Sequence, residues 1–191
     1  FLSIKVANGA LTSRLQNIQV GDEVFVSSKP TGTLVVDHLL EGRNLYLIST
    51  GTGLAPFISI IQDPETYEKF DNVIVTHGVR YASELAYQQF IQHDLPNNEF
   101  FGEEVTEKLN YYPSVTRENY ATQGRLTDAM STGKLFTDTG LPQADPKHDR
   151  FMICGSPSML KDSCQILHDW GFEESRQGIK AHYVIERAFV E

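Results

Sequence analysis

The sequence predicts an α/β domain built on a parallel, Rossmann-like sheet, preceded by a shorter segment of mainly β character. Three observations predict it. From Asn44 onward, apolar strand-like runs alternate with helix-like segments; the first of these runs leads straight into two glycines; and residues 1–43 carry only strand and turn signals. Strands that alternate with helices need crossover connections, which give a parallel sheet covered on both faces.

Taken in order, Phe1–Val6 reads as a strand, Gly9 as a turn, Glu23–Ser27 as a second strand and Lys29–Pro30–Thr31–Gly32 as a loop. This first domain, residues 1–43, reads as incomplete, because the chain opens in mid-strand and offers too few β segments to close a barrel. A boundary is expected near Glu41–Asn44, where Gly42 and polar neighbours interrupt the pattern. In the second domain, residues 44–191, strands are expected at Leu45–Ser49, Val73–Thr76, Pro113–Thr116 and Phe151–Cys154. Helices are expected at Leu54–Ile61, Ser83–His93, Leu126–Ser131 and Ser158–Trp170.

Composition bounds the function. At 191 residues and 40% hydrophobic content the chain buries a real core. No apolar run approaches the roughly 20 residues that span a bilayer, and the opening Phe1–Leu2–Ser3–Ile4–Lys5–Val6 lacks a signal-peptide pattern. The two cysteines, Cys154 and Cys164, have neither metal-ligand spacing nor a disulfide framework, so a reducing cytoplasm is expected and no metal. A net charge of −9 without any long basic run argues against a nucleic-acid module.

The glycines carry the first chemical signal. Ser49–Thr50–Gly51–Thr52–Gly53–Leu54–Ala55–Pro56–Phe57 follows the apolar run Leu45–Ile48, and a strand running through glycines into a helix is a place where a dinucleotide pyrophosphate sits. Gly51 and Gly53 let the backbone approach a ligand, and Pro56 suits a first helical turn although it replaces the usual third glycine. A glycine turn joining any strand to any helix is the alternative.

An NAD fold places a carboxylate at the end of the second strand to hold the ribose 2′-hydroxyl. Here that strand ends His77–Gly78–Val79–Arg80, and Asp71 lies before it, at the wrong end. The ribose is therefore read elsewhere. Thr116–Arg117–Glu118–Asn119–Tyr120, with Gly124–Arg125 close behind, offers two guanidiniums for a 2′-phosphate, a hydroxyl at Thr116 and a ring at Tyr120 for stacking on adenine. The competing reading pairs Arg117 with Glu118 and Arg125 with Asp128 on a solvated surface. A fourth strand ends Cys154–Gly155–Ser156–Pro157 at the same edge, where the thiol either faces a nicotinamide or is structural, while Cys164 is assigned to packing.

Thr50–Phe57, Thr116–Glu118, Cys154–Met159 and the tail Tyr183–Glu191 together resemble the bacterial type of ferredoxin–NADP reductase, in order and spacing. The resemblance extends to Gly9–Ala10–Leu11–Thr12–Ser13, similar to the family's FAD pyrophosphate turn, and to Lys29–Leu34, similar to its following loop. It implies an antiparallel β-barrel domain for FAD, of which this chain holds the later part, and an α/β domain for NADP(H).

Carried over residue by residue, it implies that Thr52 sits where flavin and nicotinamide meet, framed by Leu54 and Pro56, that Arg117 and Arg125 bind the 2′-phosphate, and that Arg80 binds the cofactor nearby. Thr50 and Gly155 join this cofactor group. Cys154 would face the nicotinamide and Glu186 would be the carboxylate that assists transfer. Ala188 stands where plastid relatives have a terminal aromatic ring, Phe189 would cover the FAD adenine, and Leu2 with Ala10–Ser13 would line the flavin side. The family's Arg-x-Tyr-Ser flavin motif belongs upstream of Phe1. The implied reaction moves a hydride between NADP(H) and FAD and single electrons to or from ferredoxin or flavodoxin, in a cytoplasmic monomer that needs no nucleic acid or membrane. Two rival readings are an oxygenase reductase component, which usually carries a cysteine-rich segment, and a flavin-free NADP-binding module.

Overall fold

A computed structural model describes residues 6–29, 32–176 and 178–187 of the chain. It divides into two compact units, Phe1–Gly32 and Thr33–Glu191. Among its described residues the first unit holds turns and one helical turn, α1 (Thr12–Leu15). The strand expected at Glu23–Ser27 does not form. That stretch belongs to no ladder, and Val24, Phe25 and Val26 are exposed; a short apolar, β-branched run does not make a strand without a partner to take up its backbone groups. The strand expected at Phe1–Val6 lies outside the described residues except for its last position.

The second unit is a five-stranded parallel sheet: β1 (Asn44–Thr50), β2 (Asn72–Val79), β3 (Leu109–Val115), β4 (Asp149–Gly155) and β5 (Tyr183–Arg187). The spatial order is β3-β2-β1-β4-β5. The chain moves outward from β1 to β3 and then crosses to the other side of β1, so the order reverses between β1 and β4. In open parallel sheets, ligands bind in the crevice that this reversal opens at the carboxyl ends of the strands.

Near-continuous apolar runs give strands buried on both faces, and the period of two sorts them. Leu45, Leu47, Val73, Val75, Met152 and Val184 face a core closed by α2 (Ala55–Ile60), α3 (Pro64–Lys69) and α4 (Gly102–Lys108). Tyr46, Ile48, Ile74, Phe151 and Ile153 face the opposite core, under α5 (Leu126–Ser131), α6 (Lys134–Thr139) and α7 (Pro157–Asp169). Ser156 caps α7 by accepting from Met159 N–H, and Pro157 opens the helix, as its fixed φ favours.

The segment 33–43 lies with the second unit. Leu40 N–H donates to Ala181 O at 2.9 Å, Ala181 N–H donates to His38 O at 3.1 Å, and the buried Arg150 guanidinium donates to the carbonyls of Leu40 and Glu41. These bonds sit at the amino ends of the strands, away from the crevice.

Two stretches differ from expectation. The single helix expected at Ser83–His93 is instead a 3-10 turn, Ala82–Glu84, and a π-helical turn, Phe90–Asp94. Tyr87 between them has φ 63°, a left-handed conformation that ends a right-handed helix. The tail after Tyr183 begins as the edge strand β5, in parallel register with β4. Among the described residues no helix is long and apolar enough to cross a membrane.

Candidate active site

Parallel register lines up one row across all five strands at their carboxyl ends: Pro113, His77, Ser49, Cys154 and Glu186. Register partners in a sheet project to the same face. The row therefore brings together four polar or nucleophilic side chains on the face covered by α2. Cys154 and Glu186 are direct partners on β4 and β5.

The glycines give the crevice its shape. A Cβ on Gly53 would stand 2.1 Å from Cys154 O, and one on Gly155 would stand 2.2 Å from Thr50 Oγ1. Only glycine lets the turn after β1 and the turn after β4 come this close. Thr50 Oγ1 ties the two turns by accepting from Ser156 N–H at 3.0 Å. Gly51 differs, with φ +54° and open space around its Cβ position, so the backbone here is bare toward solvent. Gly51–Leu54 forms a 3-10 turn continuous with α2, Thr52 is half-buried within it, and Pro56 lies in the first turn of α2. The side chain of Leu54 is fully buried in the core, which leaves its backbone alone to meet a ligand.

His77 and Tyr111 were not singled out by the sequence reading. His77 Nε2 lies 3.2 Å from Gly51 O, and Nδ1 lies 3.3 Å from Tyr111 Oη. A carbonyl only accepts, so Nε2 carries the proton and Nδ1 accepts from the phenol. Burial, opposed by the bond to Gly51, brings the His77 pKa down from 6.5 to about 4. A neutral ring thus fixes the orientation of the Gly51 carbonyl from beneath. His77 followed by glycine at the end of an apolar strand was the available signal; the carboxylate question obscured it.

The depressed pKa makes a stability prediction. Between pH 6.5 and about 4 the unfolded chain binds a proton at His77 that the folded chain excludes. Stability from this group is full above pH 6.5 and falls as pH drops to about 4, by roughly 3 kcal/mol for this shift. Urea unfolding of the wild type and His77→Gln at pH 7, 5.5 and 4.5 should show the slope reduced in the variant. Parallel slopes would contradict it.

Cys154 is buried, and burial, followed by the nearby Glu186 charge, pushes its thiol up to about 11. It is a neutral wall rather than a thiolate nucleophile. Glu186 Oε2 accepts from both the N–H and the Oγ1 of Thr33, each at 3.0 Å.

The residues expected to form the clamp lie at the ends of β2 and β3. Arg117 N–H donates to Arg80 O at 2.9 Å, and Gly124 N–H donates to Val115 O at 3.0 Å, folding the loop back so that Arg125 returns to the same edge. Arg117 and Arg125 are exposed, and among the described residues neither forms an ion pair. The competing surface pairs are not formed. Glu118 instead accepts from Ala82 N–H, and Arg80 pairs with Glu84 at 3.0 Å. The Thr116 hydroxyl, expected to meet phosphate, donates to Val79 O at 3.2 Å. Tyr120 packs half-buried against Val79, Leu85 and Val115, its hydroxyl accepting from Gln88 at 3.1 Å. Asp71 precedes β2 at the opposite end of the sheet.

In the first unit, Ala10 and Leu11 form a turn and Thr12 and Ser13 open α1, with Ser13 N–H donating to Gly9 O at 3.2 Å. Leu2, Ala188 and Phe189 lie outside the described residues.

The oxidoreductase NAD-binding domain model matches residues 47–165. Ferredoxin–NADP reductases of Azotobacter vinelandii and Pseudomonas aeruginosa are 62% and 60% identical to this chain, each alignment covering 100% of it and 74% of the relative. The crystal structure of a ferredoxin NADP+ reductase from Neisseria gonorrhoeae with bound FAD and NADP superposes with a TM-score of 0.85 at 26% identity, covering 97% of this chain and 72% of that one. With the sheet order, the glycine crevice and this likeness along its whole length, the chain belongs to the ferredoxin–NADP reductase family.

Proposed function

We propose that this chain works as a ferredoxin–NADP reductase, an oxidoreductase with NADP(H) and FAD as cofactors and ferredoxin or flavodoxin as electron partner. The observation that carries the reading is the switch-point crevice flanked by two guanidiniums that no described carboxylate neutralises. An exposed, unpaired arginine pair beside a glycine turn fits a ligand with one more phosphate than NAD.

FAD, when bound, supplies the exchange between the two-electron chemistry of NADP(H) and the one-electron chemistry of the partner protein. The chain supplies the rest. Gly51 and Gly53 admit the pyrophosphate to the backbone, Arg117 and Arg125 hold the 2′-phosphate, Arg80 stands nearby, and Tyr120 offers its ring to adenine. Thr52 and Pro56 border the nicotinamide, Cys154 closes the site with a neutral thiol, and Glu186 orients the reacting groups. Gly155 stays with the glycine crevice that takes NADP(H), and Ala10–Ser13, Leu2, Ala188 and Phe189 are assigned to the flavin by the family resemblance. We place the protein in the cytoplasm as a monomer. The relatives at 62% and 60% identity do not favour the oxygenase-component or flavin-free readings.

The test is a spectrum. Protein purified with FAD should show flavin bands that NADPH bleaches much faster than NADH, and the reduced protein should pass electrons to ferredoxin or flavodoxin. A colourless protein that binds NADP without any flavin would refute it. Glu186→Ala should cut the limiting rate of flavin reduction at least tenfold, about 1.4 kcal/mol of barrier, at unchanged NADPH affinity. An undiminished rate would discard that role for Glu186.

A further inference from the structure

We propose that Thr33 is a positioning residue for the Glu186 carboxylate. The inference rests on the reading of Glu186 given above and adds to it the group that holds that side chain in place. Both hydrogen-bond donors of Thr33 reach one carboxylate oxygen: its N–H and its Oγ1 each lie 3.0 Å from Glu186 Oε2. The same hydroxyl also lies 3.3 Å from Ile185 O on β5. Two charge-assisted bonds to one oxygen hold that oxygen in place more firmly than one bond does.

Thr33 is itself fixed. Its carbonyl accepts from Val35 N–H at 2.9 Å and lies 2.9 Å from His38 Nδ1. His38 O in turn accepts from Ala181 N–H at 3.1 Å, just ahead of β5. The loop that carries Thr33 and the strand that carries Glu186 are thus tied at two places, and the carboxylate is presented from a closed frame.

Geometry also says what the grip is for. Glu186 is the register partner of Cys154, at the end of the row that crosses the crevice. Among the described residues, hydrogen bonds reach only Oε2, so the second oxygen is left for whatever occupies the site. A half-buried glutamate without the grip samples several rotamers. With it, a carboxylate on an edge strand is pre-set, which lowers the cost of reaching the reactive arrangement.

The test compares Thr33→Val, which keeps the shape and the N–H but loses the hydroxyl, with Thr33→Ser, which keeps the hydroxyl. Thr33→Val should lower the limiting rate of flavin reduction by NADPH about three- to tenfold with NADPH affinity unchanged, and Thr33→Ser should restore it to within twofold. In a Glu186→Gln background the valine substitution should change the rate less than twofold. A readout without any cofactor is amide hydrogen exchange: the Thr33 N–H should exchange roughly tenfold faster in Glu186→Ala than in the wild type.

A wild-type rate in Thr33→Val, or an undiminished loss in the Glu186→Gln background, would overturn the positioning role. So would unchanged exchange of the Thr33 amide. If Glu186→Gln alone leaves the rate intact while Thr33 protection still depends on Glu186, the contact stands but the role assigned to the carboxylate is wrong, and the inference falls with it. If the wild type shows no NADPH-dependent flavin reduction, the functional reading fails separately.

Discussion

Replacing Arg117 and Arg125 together by alanine lowers NADP(H) affinity about a hundredfold or more, while NAD(H) affinity stays within about threefold. Each charge-assisted hydrogen bond contributes roughly 1.5–3 kcal/mol, and about 1.4 kcal/mol is tenfold in affinity. Both guanidiniums are exposed, which places each contribution toward the lower end and makes it sensitive to salt. The preference for NADP(H) should therefore shrink as ionic strength rises. Each single variant should lose a comparable part, since neither side chain has a carboxylate partner among the described residues to release it from or return it to. Arg80 is a different case. Its ion pair with Glu84 must loosen before it adds to phosphate binding, so Arg80→Ala should cost less. Isothermal titration of the variants with both coenzymes checks this. Equal losses for NADP(H) and NAD(H) would refute the clamp.

Gly53→Ala should be the most damaging small substitution in the crevice. The added methyl would lie 2.1 Å from Cys154 O and 2.6 Å from Cys154 C, both backbone atoms that cannot swing away. The turns after β1 and β4 would have to separate. Overpacking of this kind costs roughly 3 kcal/mol, which for a chain of this length lowers Tm by roughly 6–12 °C. Nucleotide affinity should fall as well, because the crevice is defined by that close approach. Gly51→Ala provides the contrast. Nothing lies within 4 Å of its Cβ position, so only the left-handed φ of +54° is strained, at about 1–2 kcal/mol. The Tm shift of Gly53→Ala should therefore be about 1.5 to 3 times that of Gly51→Ala, and equal shifts would contradict the assignment of Gly53 to backbone approach.

The core of the fold was legible because buried parallel strands advertise themselves as apolar runs. Leu45–Ser49, Val73–Thr76 and Phe151–Cys154 lie inside β1, β2 and β4, and α5 spans Leu126–Ser131 as read. The two arginines and the glycine turn are local chemical signals in the same way, and the fold brings both to the carboxyl ends of the strands. What escaped was fixed by pairing. Glu23–Ser27 has the composition of a strand and no partner in the described structure. Tyr183–Arg187 becomes β5 because β4 offers an edge, which no local pattern announces. The break inside 83–93 depends on one left-handed residue, Tyr87, of a type that rarely adopts that conformation. Thr33 and His77 were invisible as site residues for the same reason, since their roles rest on bonds to Glu186 and Gly51 that only the folded sheet creates.

The most direct test of the clamp uses nucleotide fragments and needs no flavin. Adenosine 2′,5′-bisphosphate and adenosine 5′-monophosphate differ only in the 2′-phosphate that Arg117 and Arg125 are assigned to hold. Titrated onto the wild-type protein at low salt, the bisphosphate should bind at least tenfold more tightly, with chemical-shift changes centred on Arg117, Tyr120 and Arg125. Equal affinities, or changes centred away from the ends of β2 and β3, would contradict the account.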